Sequence, residues 1–292
     1  MQKVLITGID SFTGQHLSSY LKGLGYDVYG TSLFVEDIKK YKCDITRKDE
    51  IKDVLQKIQP DFLIHLSGIS FAAHGNNDDF YKVNTIGTTN ILDAFVKSGL
   101  KPLKIILASS ATIYGNQGLE VLDESLCPKP ANHYGASKYA MECLANGYFK
   151  NLPIIITRPF NYTGVGQADY FLIPKIVKHF KEKKETIELG NLDISREFND
   201  VEYVCEVYKR LLECKTNSEV VNISSNKGRK LLDVIDTMNN LAGYKIEVKV
   251  NPAFVRKDEI SSLTGSTDKL YEIIGEVKQK PFEDTLRGIL EA

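Results

Sequence analysis

Lys3-Val4-Leu5-Ile6-Thr7-Gly8-Ile9-Asp10-Ser11-Phe12-Thr13-Gly14 is the stretch whose reading decides the fold. Val4-Leu5-Ile6 is a short, fully apolar run of strand character, and the turn Thr7–Gly14 leads from it into helical periodicity near 14–24. In a strand–turn–helix unit of this kind the first glycine permits the tight turn and the last lets the helix pack closely, while the helix's N-terminal amides face a pyrophosphate. Gly8 and Gly14 stand where those two glycines belong, and Ser11 stands where the middle one is expected. At this point the unit reads either as a dinucleotide-binding loop or as an ordinary βα turn.

Outward from it, Val28-Tyr29, Phe62-Leu63-Ile64, Ile105-Ile106-Leu107 and Ile154-Ile155-Ile156 are nearly unbroken apolar runs, as strands buried on both faces must be. Helical patterns near 48–58, 77–98 and 133–150 fill the gaps, the last after a loop containing Pro128 and Pro130. This alternation predicts an α/β fold with a Rossmann-like, doubly wound parallel sheet. After about residue 160 helices near 170–184, 200–213, 230–241 and 282–291 are separated by Val220-Val221-Asn222 and Ile246-Glu247-Val248. The expectation is a dinucleotide-binding domain over 1–160 and a smaller mixed α/β, mainly substrate-binding domain over 161–292, with segments near 200–224 returning to the first.

Composition narrows the function. At 292 residues the chain can bury a full core without staples, and 37 Lys+Arg against 38 Asp+Glu leaves a net charge of -1, which argues against a bulk electrostatic nucleic-acid binder. Cys43, Cys127, Cys143, Cys205 and Cys214 are odd in number and lack ligand spacing, so neither a disulfide framework nor a metal site is expected, and a reducing cytoplasm fits. No apolar run approaches the ~18 residues of a membrane span, so no membrane partner is expected either.

Two further motifs carry chemistry. Ile105-Ile106-Leu107 runs into Ala108-Ser109-Ser110-Ala111-Thr112-Ile113-Tyr114-Gly115, and Tyr134-Gly135-Ala136-Ser137-Lys138 opens the next helix. Tyr134 and Lys138, four apart, share a helix face, and a neighbouring cation favours phenolate character in a group that normally titrates near ~10. Ser110, at the carboxyl end of a sheet strand, lies where open α/β sheets bind ligands. The second strand ends in Tyr29-Gly30-Thr31-Ser32, without the acidic residue that usually takes an adenosine ribose 2'-hydroxyl. Its absence favours NADP over NAD, with hydroxyls of Thr31 and Ser32 and a lysine, Lys39 or Lys40, reaching a 2'-phosphate.

In this order the motifs resemble the extended short-chain dehydrogenase/reductases, the family of nucleotide-sugar epimerases, dehydratases and reductases. The resemblance covers essentially the whole chain and includes His65-Leu66-Ser67-Gly68, Asn84-Thr85-Ile86-Gly87-Thr88, Arg158-Pro159-Phe160-Asn161, Arg196-Glu197-Phe198, Asp200-Val201 and Arg256. It implies that Phe12 joins the phosphate loop, that Asp44 and Ile45 meet the adenine side of the cofactor, and that Leu66, Ser67 and Asn84 line its path. It implies that Ser110, Tyr134 and Lys138 are the catalytic triad, and that Asn161, Lys175, Arg196 and Arg256 hold the substrate, the donors among them on its diphosphate.

Arg158–Gln167, Gly190-Asn191-Leu192 and Arg256–Ile260 are most similar to the branch of GDP-4-keto-6-deoxy-mannose reductases and the related 4,6-dehydratases. The dehydratases carry a glutamate where Thr112 stands, and a hydroxyl is no substitute for that carboxylate in eliminating water. The resemblance therefore implies reduction of a nucleotide-linked 4-keto-6-deoxy sugar, with NADP preferred and NAD possible. The rival enzyme is a 4-epimerase that retains NAD; a non-catalytic redox-sensing protein would be expected to have lost part of the triad. The implied partners are a nucleotide-diphosphate sugar and a second copy of the chain. The two copies would meet as a four-helix bundle, with Val83, Ile86, Ile91 and Phe95 on one helix and Tyr139, Met141 and Leu144 on the other covering both the sheet and the partner.

Overall fold

The structure is a computed structural model that describes residues 1–70, 76–255 and 260–292. Its central sheet contains β1 (Lys3–Thr7), β2 (Asp27–Ser32), β3 (Lys40–Lys42), β4 (Phe62–His65), β5 (Lys104–Ala108), β6 (Ile154–Pro159) and β7 (Glu219–Ile223). All pair in parallel, in the order 3-2-1-4-5-6-7. The order reverses between β1 and β4, and the crevice outside the carboxyl ends of strands at such a point is where open sheets of this kind bind ligands.

The apolar runs are explained by two-sided burial. On one face Val4, Ile6, Ile64, Ile106, Ile155 and Val221 pack against α1 (Phe12–Gly23) and α6 (Val201–Glu213). On the other, Leu5, Leu63, Ile105, Leu107, Ile154 and Ile156 pack against α2 (Lys48–Ile58), α3 (77–98) and α4 (His133–Asn146). Alternate residues of one strand thus serve two cores, so neither set can be polar. α3 is α-helical at Asn77–Phe80, π-helical at Tyr81–Gly87 and α-helical again at Thr88–Ser98.

A separate apolar cluster joins α5 (Leu172–Lys181), α7 (Leu231–Ala242) and α9 (Phe282–Glu291) to Ile187 and Leu189. Those two residues belong to the strand Thr186–Leu189, which pairs in parallel with Glu247–Val250. Between these elements the chain passes back through α6 and β7 in the main sheet. Sequence periodicity misses several short elements, two of which show why. α8 (Asp268–Ile274) is too short to show a full apolar stripe, and β3, Lys-Tyr-Lys, is a three-residue edge strand without an apolar run. Among the described residues no helix is long and apolar enough to cross a membrane, and no group of His, Cys, Asp or Glu could hold a metal.

Candidate active site

The loop after β1 is built around close backbone approach. Gly8 has φ +70°, its amide and that of Ile9 both donate to the Thr31 carbonyl at 3.1 Å, and a Cβ on Gly14 would fall 2.4 Å from the Gly8 oxygen. Both glycines are therefore required by shape. Ser11 needs no such freedom at φ -66°; its Oγ accepts from the Gly14 amide at 3.1 Å and caps α1, which accounts for a serine where a glycine was expected. No acidic residue stands in the first turn of α1, so its N-terminus is an open cradle for a phosphate. A Cβ on Gly8 would lie 3.0 Å from the Ser67 nitrogen, so the loops after β1 and β4 form one continuous floor. These features fit a dinucleotide.

The other residues expected around that group have partners of their own within the chain. Leu66 packs into the core of the first sheet face and Ile45 into that of the second. Phe12 stacks on Tyr162, with ring centroids 6.2 Å apart, while Thr13 Oγ1 and the Tyr162 hydroxyl lie 2.6 Å apart, tying the phosphate loop to the segment after β6. Asp44 accepts from the Thr46 amide at 2.9 Å and the Thr46 hydroxyl at 2.8 Å. Thr31 and Ser32 are buried, and Ser32 Oγ accepts from the amides of Phe34 and Val35 at 3.2 Å, so that hydroxyl shapes the turn beyond β2. Lys39 is held 2.5 Å from Asp27 at the opposite end of β2, whereas Lys40 lies 2.6 Å from Asp10 in the phosphate loop.

The triad meets because of two short turns. Ser110 follows β5 and caps the single turn Ala111–Tyr114, its Oγ accepting from the Thr112 amide at 3.2 Å and lying 2.5 Å from Thr112 Oγ1. Asn132 caps α4 by accepting from the Gly135 amide at 2.9 Å, which puts Tyr134 in the first turn. A Cβ at Gly135 would sit 3.0 Å from the Thr112 carbonyl, so a glycine lets that turn seat the phenol beside both hydroxyls. Burial raises the Tyr134 pKa; the Ser110 and Thr112 hydroxyls pull the other way without overcoming it. Lys138 Nζ donates to the Ala108 carbonyl at 2.8 Å, and burial lowers its pKa to about 8 although Glu142 opposes the shift.

This departs from the expected tuning. The ammonium gives one of its three donors to a backbone carbonyl, and the phenol pKa is raised, not lowered. Thr112, read in the sequence only as a missing carboxylate, is a full member of the hydroxyl cluster; its spacing from Ser110 within one turn was the available signal.

Asn84 is wholly buried. Its amide donates to the Ile69 carbonyl at 3.1 Å and Ser137 Oγ at 3.0 Å, and its oxygen accepts from the Ile69 amide at 2.9 Å. It thus clamps the π-helical segment to the loop after β4 and to α4, and its Oδ1 lies beside Gly68, next to which the Lys138 ammonium also sits. Ser109 Oγ, next to the triad, is buried without a hydrogen-bond partner among the described residues.

On the substrate side Asn161 is exposed, and its carbonyl accepts from the Asn199 amide at 2.9 Å. Lys175 donates to the Glu188 carbonyl at 2.9 Å and lies over the Phe254 ring. Arg196 is buried and donates to the Ser195 carbonyl at 2.8 Å and to that of Ile260. Arg256 lies outside the described residues. Glu197, beside Arg196, is a buried hub that accepts from the Ser225 and Gly265 amides, both at 2.7 Å.

Comparison with known proteins places this geometry. The model of the NAD dependent epimerase/dehydratase family matches residues 4–224. A GDP-6-deoxy-D-talose 4-dehydrogenase from Aggregatibacter actinomycetemcomitans is 38% identical over 274 residues, 94% of this chain and 91% of the relative. A GDP-6-deoxy-D-mannose reductase from Pseudomonas aeruginosa is 29% identical over 300 residues, 99% of this chain and 96% of the relative. The solved structure of RMD from Pseudomonas aeruginosa complexed with NADPH superposes with a TM-score of 0.88 at 27% identity, covering 100% of this chain and 97% of that one.

Proposed function

Because the chain belongs to the NAD dependent epimerase/dehydratase family and is an NAD(P)-dependent, nucleotide-sugar-modifying enzyme of the short-chain dehydrogenase/reductase type, we propose that it is a cytoplasmic reductase of a GDP-linked 4-keto-6-deoxyhexose, with NADPH preferred and NADH usable. The observation that carries this is the cluster of three hydroxyls, Ser110, Thr112 and Tyr134, backed by Lys138 and holding no carboxylate. The two relatives, both named for GDP-linked 6-deoxyhexoses, support the substrate class.

The bound nicotinamide supplies the reducing equivalent. The chain's residues do the rest. Ser110 and Tyr134 donate hydrogen bonds to the C4 carbonyl oxygen, and Tyr134, whose raised pKa keeps it protonated at neutral pH, gives that oxygen its proton. Thr112 orients both hydroxyls. Lys138 would hold the cofactor's ribose, and the N-terminus of α1 would take the pyrophosphate. Without a carboxylate at position 112 there is no base for dehydration. In this reading residues 1–160 carry the cofactor and 161–292 mainly the substrate, with Asn161, Lys175, Arg196 and Arg256 around the diphosphate.

A panel of 4-keto-6-deoxy sugar nucleotides, each offered with NADPH and NADH and followed by NMR, tests the reading. The expected result is stoichiometric cofactor oxidation with the GDP sugar and a 4-hydroxy-6-deoxy product. Tightly bound NAD in the purified protein, with C4 interconversion and no net cofactor use, establishes the epimerase instead.

We also propose a homodimer through α3 and α4, with a narrower contact than the sequence pattern indicates. Ile91, Phe95 and Met141 are buried by the chain's own sheet, whereas Ile86, Val96 and Leu144 remain 50%, 44% and 46% exposed. Light scattering should give twice the chain mass at micromolar concentration; a monomer mass removes the claim.

A further inference from the structure

The charge at the carboxyl end of β2 comes from outside that strand. Asp10, two residues after Gly8, places Oδ1 2.6 Å from Nζ of Lys40, the first residue of β3. Lys40 is brought there by register, since it pairs with Gly30 of β2. The Ser32 hydroxyl also meets the Asp10 carboxyl; burial is the largest single influence and opposes the charge, but Lys40 and Ser32 together outweigh it and hold the pKa below the usual carboxylate range. The Asp10 and Lys40 side chains are 40% and 27% exposed, so both can be reached from solvent.

In open sheets of this kind the end of the second strand is where the adenosine ribose sits, and a carboxylate there accepts from a 2'-hydroxyl while repelling a 2'-phosphate. Thr31 and Ser32 bring no charge to that position, and Ser32 is already engaged by two amides. Lys39 is turned away onto Asp27.

We propose that the Asp10–Lys40 ion pair selects between the phosphorylated and unphosphorylated dinucleotide, Asp10 accepting from a ribose 2'-hydroxyl and Lys40 taking a 2'-phosphate. This rests on the cofactor reading above and adds the residues that make the choice. Neither partner acts alone. A 2'-phosphate must draw Lys40 from Asp10 and settle beside a carboxylate, which lowers the gain from the lysine and leaves the two cofactors close in affinity.

Calorimetric titration of the whole chain with adenosine 2',5'-bisphosphate and with AMP reads the choice without turnover, and NADP⁺ and NAD⁺ repeat it with the complete ligands. Asp10→Asn keeps the shape and frees Lys40, so the bisphosphate-to-AMP affinity ratio should rise about tenfold. Lys40→Gln leaves a bare carboxylate, so the ratio should fall about tenfold with AMP binding retained. Lys39→Gln, the neighbouring control, should change it by less than about twofold. Ratios unmoved by Asp10→Asn and Lys40→Gln, or moved equally by Lys39→Gln, overturn the proposal while the cofactor reading stands. Failure of the wild type to bind any of the four nucleotides overturns both.

Discussion

Tyr134→Phe should lose roughly 10²–10⁴ of turnover while folding and binding cofactor like the wild type, because the substitution removes a transferable proton and little else. The phenol sits among the Ser110 and Thr112 hydroxyls, and burial raises its pKa, so the proton is present throughout the neutral range. The group that titrates is Lys138, lowered by burial to about 8. Reduction in the wild type should therefore hold steady at lower pH and decline as pH rises through about 8. Stability moves the other way. Below about 8 the fold carries a buried ammonium at a cost; between there and the ordinary lysine value of 10.5 the native state has released a proton that the unfolded chain still binds, so stability rises with pH over that window. Initial rates and urea midpoints across pH 6–10.5 check both trends. Near wild-type turnover in Tyr134→Phe would falsify its assignment as proton donor.

Arg158→Met should cost about 3–5 kcal/mol of unfolding free energy, since it strands a carboxylate in the interior. Arg158 Nη2 lies 2.7 Å and Nε 3.1 Å from the Glu142 carboxylate, and Nη1 donates to the Tyr114 hydroxyl at 2.9 Å. Burial disfavours the guanidinium's charge, but Glu142 and Tyr114 outweigh it, and its pKa ends raised. Both charges are almost completely shielded from water, with side-chain exposures of 6% and 3%. Adding Glu142→Leu removes the stranded charge, so the double variant should recover most of the loss. Urea denaturation of the two singles and the double measures the cycle. A loss under about 1 kcal/mol in Arg158→Met, the size of an exposed pair, would show that water reaches Glu142. The pair joins β6 to α4 one turn beyond Lys138, so it also fixes the helix that carries the triad.

The order of strands and helices, the phosphate loop and the shared face of Tyr134 and Lys138 were legible in the sequence, because periodicity, glycine placement and helical spacing are local properties. Family membership was legible for a related reason, the motifs standing in one chain order. Contacts between distant segments were not. The sequence pattern offers Ile91, Phe95 and Met141 to both the sheet and a partner, and only the packed fold shows that the chain's own core buries them. The partners that Asn84, Arg196 and Lys175 find within the chain, among them the carbonyls of Ile69, Ser195 and Glu188, were not legible either, because only a packed backbone brings such groups near. The protonation state of the triad was hidden for the same cause: spacing puts an ammonium near a phenol, but desolvation and the Ala108 carbonyl decide where each charge rests. Asp10 and Lys40, 30 positions apart, became one feature only when β3 paired with β2 in the register that sets Lys40 beside Gly30.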